Sequence, residues 1–157
     1  MLTCQLENGH KYNLRHVTVR VIAPNNRNEV LLIKRAPNEL RGGKYNLPGG
    51  FLDRDENTES AALRELVEET GIEGKVDYLL RINDNPQRPN EDRQNVDFVY
   101  VVKDIKGSVK IDHESTDAGW FSEGNLPNRE EFAFDDLDSI LMYFRYLKEP
   151  FKLPIIG

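Results

Sequence analysis

Only one cysteine, Cys4, occurs in the 157 residues, so no intrachain disulfide can form and a reducing compartment is the simpler inference. Cys4 itself reads as a small apolar filler in an N-terminal strand. No segment approaches the ~20 apolar residues that a membrane helix needs. Residues Met1 to Arg15 are polar and lack the apolar core of a secretory leader, so a cytoplasmic location is expected and no membrane partner. A basic excess is missing too: 21 Lys and Arg stand against 27 Asp and Glu, for a net charge of −6 and no basic stripe. That composition argues against long nucleic acid as a partner, because such affinity comes largely from neutralised phosphates. There is no repeat and no sign of disorder. With 38% hydrophobic and 31% charged residues, a single domain over 1–157 can bury a real core.

What the chain does have is acidity in one place. Between Gly50 and Ile72, seven carboxylates and two arginines share 23 residues, a net −5 that accounts for most of the charge of the protein. At ~100° per residue, Ala62, Leu63, Leu66 and Val67 gather on one side of a helix. Glu65, Glu68 and Glu69 fall on the other. Such like-charge neighbours at i,i+3 and i,i+4 cost about 0.2 to 0.5 kcal/mol per pair on an isolated helix. Asn57 suits the N-cap, Glu59 the first turn and Gly71 a left-handed C-terminal stop, which leaves the three glutamates toward the negative end of the helix dipole. Helix optimisation does not explain them there, whereas a hard divalent cation, which takes oxygen ligands and bridges carboxylates to phosphates, does. Upstream, the Leu47-Pro48-Gly49-Gly50 turn brings backbone carbonyls, also hard oxygen donors, toward the same face.

The rest reads as strands with a second helix. Val17 to Ala23 and Glu29 to Lys34 flank the turn Pro24-Asn25-Asn26-Arg27-Asn28 and predict a hairpin. Lys75 to Ile82, Val96 to Lys103 and Thr116 to Phe121 are further strands. Asn83 to Asn95, with Pro86 and Pro89, is a long loop of the kind that often carries function. Leu137, Ile140, Leu141 and Phe144 predict an amphipathic helix over Asp135 to Leu147. The tail after Pro150 is expected to be extended. The pattern implies an α/β fold, a mixed sheet between helices.

Gly50, five residues, Glu56, seven residues, then Arg64-Glu65-Leu66-Val67-Glu68-Glu69-Thr70-Gly71-Ile72 resembles the Nudix box with every defining position filled. The resemblance extends through Leu47-Pro48-Gly49-Gly50-Phe51 and Ala118-Gly119-Trp120-Phe121. It implies the α/β/α Nudix sandwich with a mixed, curved sheet, and a hydrolase that cleaves a diphosphate linkage with Mg²⁺ or Mn²⁺. By position in the box, Glu65, Glu68 and Glu69 carry over as metal ligands with the Gly49 carbonyl, and Arg64 and Glu56 as the ion pair that orients them. For the general base, relatives use either a box glutamate, here Glu65 or Glu68, or a glutamate on a distant loop. Glu114 is preferred for the latter over Asp117, with His113 a lesser candidate.

Arg35 is the first choice for substrate phosphates, ahead of Arg20, Arg41, Lys44 and Arg81. Tyr45, Phe51, Phe132 and Phe134 lie near loops where a nucleobase could stack, while Trp120 and Phe121 belong with the core. The flanking motifs resemble the ADP-ribose pyrophosphatase-like subgroup, whose members acting on ADP-ribose carry a proline at a set distance after the box. Pro86 and Pro89 lie 14 and 17 residues beyond Ile72, and neither is assignable. Asp55 stands where relatives commonly have glycine. Three function classes follow: an ADP-ribose or nucleotide-sugar hydrolase, a nucleoside triphosphate pyrophosphohydrolase that removes oxidised nucleotides, and a non-catalytic nucleotide-binding module. Many members are dimers, and a homodimer stands beside a monomer as an expectation, since the Phe132 to Tyr146 segment is equally explained by packing within one chain.

Overall fold

The computed structural model describes residues 2–88 and 94–157; Pro89 lies outside them. In chain order the principal elements are β1 (Leu2–Gln5), β2 (Lys11–Leu14), β3 (Val17–Ile22), β4 (Val30–Arg35), β5 (Tyr45–Asn46), α1 (Thr58–Thr70), β6 (Glu73–Asn83), β7 (Val96–Lys106), β8 (Ser115–Phe121), α2 (Asp136–Lys148) and β9 (Ile155–Ile156). One mixed sheet runs β3-β7-β6-β9, with β3 parallel to β7, β7 antiparallel to β6 and β6 parallel to β9. A second, antiparallel sheet runs β5-β4-β8, and β1 and β2 form a separate two-stranded ribbon.

Alternation within the strands sets the layers. Val19 and Val21 face one way and pack with Leu31 against Ala61, Ala62 and Leu66 of α1. Ile22 faces the other way and joins Val30, Leu32, Val99 and Val101 against Leu137, Ile140 and Phe144 of α2. Sheets covered on both faces by helices are the α/β/α arrangement that the sequence implies. No helix among the described residues is long and apolar enough to cross a membrane.

The predicted hairpin of the third and fourth strands closes at its turn and goes no further. Asn25 N–H donates to the Glu29 carbonyl, Pro24 bridges to Val30 and Leu31 N–H donates to the Ala23 carbonyl, beyond which β3 and β4 part into different sheets. The edge of β3 that β4 would occupy is taken by the Pro48–Leu52 segment. Val21 N–H donates to the Pro48 carbonyl, Val19 N–H to Gly50 and Leu52 N–H to Val17. The intervening turn suits a crossing between sheets, because Asn25 Oδ1 accepts from both Arg27 and Glu29 N–H and holds a wide loop in place of a two-residue reversal.

Helix α1 begins and ends as the sequence indicates. Asn57 Oδ1 accepts from Ser60 N–H, and Gly71 closes the helix at φ +66° with its N–H on the Val67 carbonyl. Its buried face is shifted from the one expected: Ala61, Ala62 and Leu66 are inside while Val67 is exposed. β6 and β7 both run beyond their expected ends, and the tail contributes β9, which pairs with β6 at Arg81 and Ile82.

Between β7 and α2 lies a buried charge cluster that no local pattern announces. Arg88 is held by Asp97 at 2.5 Å and by both oxygens of Asp135, and Asn83 Nδ2 donates to Asp135 at 2.8 Å. Burial alone would raise the Asp135 pKa, but the bonds from Arg88 reverse that and lower it. Removing one member of such a cluster leaves the others buried without counter-charge, at a cost of about 3–5 kcal/mol. Arg88→Met is therefore expected to lower the urea midpoint by an amount corresponding to roughly 3 kcal/mol or more, and a midpoint within error of the parent chain would refute this account of the cluster.

Candidate functional site

The edge of β3 positions the site. Because Pro48–Leu52 is hydrogen-bonded along that edge, Gly49 and Gly50 are wedged between β3 and α1. Gly49 sits at φ +148°, where a Cβ would collide with the Val19 carbonyl oxygen, and a Cβ at Gly50 would lie 2.5 Å from Glu65 Oε1. Two glycines are thus required by close approach, which brings the Gly49 N–H to Glu69 Oε2 at 2.7 Å.

A cavity of about 480 Å³ opens there. Glu65, Glu68, Glu69, Gly49 and Gly50 form one wall; Arg20, Arg35 and Phe134 line it as well, and Glu114 and Phe51 also reach it. Burial dominates the acids. It raises the pKa of Glu69 to about 8 against the opposing bond from Gly49 N–H and the pull of Arg20, and it raises Glu65 as well. Glu68 is more open, with 57% of its side chain exposed, which makes it the accessible member of the three.

Arg64 is the counter-charge. Its guanidinium donates to Glu56 at 2.7 and 3.2 Å, to Glu65 Oε1 at 2.8 Å, to Glu68 Oε2 at 3.0 Å and to the Phe51 carbonyl at 3.1 Å. The bonds to Glu56 are the largest reason that its pKa is raised, and the same bonds hold Glu56 below the usual carboxylate range. Arg20, which also lines the cavity, donates to the Gly49 carbonyl at 3.0 Å and lies 3.5 Å from Asp136, whose burial raises its pKa to about 6. The guanidinium groups of Arg20, Arg35 and Arg41 stand 5.0, 5.6 and 5.2 Å from the Phe134 ring, and Arg35 also contacts Glu39 at 3.3 Å.

The donor set suits a hard divalent cation: three carboxylates and a carbonyl on one cavity, with two of the acids disfavoured as anions until a cation arrives. Among the described residues no three Asp, Glu, His or Cys side chains already converge as a cage, because Arg64 draws Glu65 and Glu68 toward itself.

Other residues named from sequence lie elsewhere. Arg81 does not line the cavity; its Nε donates to the Gly157 carbonyl at 2.8 Å and its Nη1 to Ser139 at 3.3 Å, which makes it a tie between β6, α2 and the C-terminus. Tyr45 also turns away, packing edge-on to Phe121 with ring centroids 5.4 Å apart. Phe132 is core. Neither Lys44, Asp117 nor His113 lines the cavity. Thr18 and Asn95, which sequence reasoning passed over, do. For Thr18 a signal existed: Thr18 and Arg20 interrupt Val17, Val19 and Val21 at alternate positions, the pattern of a strand turning one face to a polar site.

The chain matches the NUDIX domain over residues 14–142. An ADP-ribose pyrophosphatase of Methanocaldococcus jannaschii is 36% identical over 119 residues, 76% of this chain and 68% of that protein. A MutT-like protein of Streptomyces ambofaciens is 33% identical over 129 residues, 81% of this chain and 78% of its own. The crystal structure of a NUDIX hydrolase from Nitrosomonas europaea superposes with a TM-score of 0.76 at 25% identity, covering 95% of this chain and 82% of the other.

The burial of Glu69 has a consequence for stability. With a pKa of about 8 in the folded chain against an ordinary 4.5, the carboxyl favours folding fully below pH 4.5, and that contribution is lost as pH rises through about 8. In chelator, Glu69→Gln, neutral at every pH, is expected to flatten this fall in the melting temperature between pH 4.5 and 8; equal slopes for parent and variant would show that burial does not perturb the group.

Proposed function

The chain belongs to the NUDIX family and is a pyrophosphohydrolase, and on that premise we propose that it hydrolyses the diphosphate linkage of ADP-ribose or of a nucleotide sugar, with Mg²⁺ or Mn²⁺ as the metal. One observation carries the reading: a single cavity is lined by Glu65, Glu68, Glu69 and Gly49 together with Arg20 and Arg35. A diphosphate between two organic groups needs both, since its anionic oxygens must be neutralised before a nucleophile can approach.

Nudix hydrolases generally need a divalent metal; when bound, it neutralises the diphosphate and lowers the pKa of a coordinated water. Glu65, Glu68, Glu69 and the Gly49 carbonyl would hold it. Arg64, fixed by Glu56, holds Glu65 and Glu68 through its hydrogen bonds and limits their mutual repulsion until a cation replaces it as their partner. Arg35 receives the phosphate oxygens, assisted by Arg20. Glu114, at the cavity on the segment before β8, is the proposed base that takes the proton of the attacking water, with Glu65 or Glu68 the alternative from the box.

The relative from M. jannaschii favours ADP-ribose, whereas a putative 8-oxo-dGTP diphosphatase of Bacillus subtilis, 34% identical over 109 residues, favours the second reading, a nucleoside triphosphate pyrophosphohydrolase. A module that only binds nucleotides has no use for the complete set of Arg64, Glu65, Glu68 and Glu69.

The test is hydrolysis of ADP-ribose, nucleotide sugars, dinucleoside polyphosphates and normal or oxidised nucleoside triphosphates with Mg²⁺ or Mn²⁺. AMP and ribose 5-phosphate from ADP-ribose as the fastest reaction supports the leading reading, and faster release of diphosphate from a triphosphate moves the assignment to the second. Glu68→Gln, at an open position, is expected to keep the parent melting temperature and lose about 10²-fold or more in kcat; parent activity in that variant would remove Glu68 from the mechanism.

A further inference from the structure

Glu39 is an acid at the cavity to which the proposed reaction gives no task. Asp53 stands 3.9 Å from Arg64, and Glu114 is the proposed base. Glu39 instead meets the arginine assigned to the phosphates, for Arg35 Nη2 donates to its Oε2 at 3.3 Å. Both side chains are largely withdrawn from solvent, to 15% exposure for Arg35 and 28% for Glu39. A carboxylate on the cation that receives an anionic substrate opposes binding, so its presence asks for an explanation.

Arg35 does not need Glu39 to hold its place. Its Nε donates to the Leu40 carbonyl at 2.7 Å and its guanidinium stands 5.6 Å from the Phe134 ring. Its backbone is clipped at both groups, the N–H to the Lys44 carbonyl at 2.9 Å and the carbonyl by Gly43 N–H at 2.8 Å. The same loop fixes Glu39. Glu39 N–H donates to the Ala36 carbonyl at 3.0 Å, and its carbonyl accepts from Gly42 N–H at 2.9 Å. A Cβ at Gly42 would lie 2.4 Å from the Ala36 carbonyl oxygen, so the turn closes tightly. A carboxylate set by backbone bonds beside a cation that is already held elsewhere contributes its charge rather than its grip.

What that charge distinguishes follows from the chemistry of phosphates. In a diphosphate that links two organic groups, each phosphorus carries a single negative charge. A terminal phosphate has a second ionisable oxygen and carries about −1.5 to −2 at neutral pH. A phosphoryl group on Arg35 shares its guanidinium with Glu39, and the second charge is repelled there. We propose that Glu39 is a specificity-determining residue that disfavours terminal phosphates at Arg35 and so tilts the cavity toward diphosphates esterified on both sides. Such a bias is negative in origin: the unwanted substrate meets a like charge. The inference deepens the proposed function and rests on Arg35 as the residue that receives the phosphate.

Two α,β-methylene analogues, which resist cleavage between the phosphorus atoms, isolate the effect. That of ADP ends in a free phosphate, and that of ADP-ribose carries the same phosphate as an ester. Both are titrated calorimetrically in Mg²⁺ into the parent chain and Glu39→Gln, which keeps an acceptor for Arg35 Nη2, with the parent melting temperature as the check on folding. The variant is expected to shift the ratio of the two dissociation constants toward the ADP analogue by about 5-fold or more. A merely structural Glu39 would move both constants together, so an unchanged ratio overturns the proposal. Arg35→Met is expected to weaken both analogues; parent affinity for both would remove Arg35 as the phosphate ligand, and the role of Glu39 with it. The titration needs no turnover. If ADP-ribose and the other substrates above go uncleaved, the hydrolase reading fails by itself, and the ratio still supports or overturns the role of Glu39.

Discussion

The hydrogen bonds that dock Pro48–Leu52 on the edge of β3 are the constraint on which the site depends. They occupy donors that a neighbouring strand would otherwise take, so β4 is diverted into a second sheet and a cleft remains where the two sheets part. They also press two consecutive glycines against α1, close enough that the Gly49 N–H reaches the carboxylate of Glu69. One backbone pairing therefore fixes the sheet topology, the opening of the cavity and the approach of a peptide group to the acids.

Around that edge the charges are arranged in tiers. Arg64 serves Glu56, Glu65 and Glu68 at once, and its contact with Glu56 is the anchor, since Glu56 also accepts from Asp53 N–H at 2.8 Å. Arg20 plays the matching part on the inner side, where Asp136 balances it and its Nη1 faces the Gly49 carbonyl. Deeper still, Arg88 is enclosed by Asp97 and Asp135. Each arginine is matched to more than one acceptor, which suits a planar group with five donors better than an ammonium. The result is a set of acids held in place without being fully neutralised, and Glu69, lacking a salt bridge among the described residues, is the one whose pKa moves furthest.

Local chemistry explains what could be read from the sequence. Helix α1, from its Asn57 cap to its Gly71 stop, is written in residues that act within one turn, and the spacing of its acids follows from helical geometry. The two layers are legible from alternation in Val17–Ile22. Long-range pairing is not: nothing in Val17–Arg35 says that the third strand's edge is already claimed by residues 48–52, so a hairpin was the natural inference. The same limit applied to single side chains. Arg35 and Phe51 stand at the cavity because they border it in the chain as well as in space. Arg81 and Tyr45 share their residue types but face α2 and β8, and the Asn95 carbonyl is held by Arg15 from a distant position as well as by the nearby Arg88. A charge or a ring is visible in sequence; the direction it faces is decided by register and by partners far along the chain.

The cavity walls differ in how they bear their charge. On the acid side, burial raises the pKa of Glu69 and Glu65, so their anionic forms are disfavoured until further positive charge arrives. Three guanidinium groups gather around Phe134, which tolerates cations through its ring electrons. Of these, Arg20 faces Asp136 and Arg35 faces Glu39, while Arg41 donates to the Ala133 carbonyl and so braces the chain beside Phe134. A ligand that is anionic throughout would satisfy only the arginines, and a cation alone only the glutamates. A diphosphate accompanied by a divalent metal, the proposed occupant, would satisfy both sets of groups together, so that each partner would raise the affinity for the other.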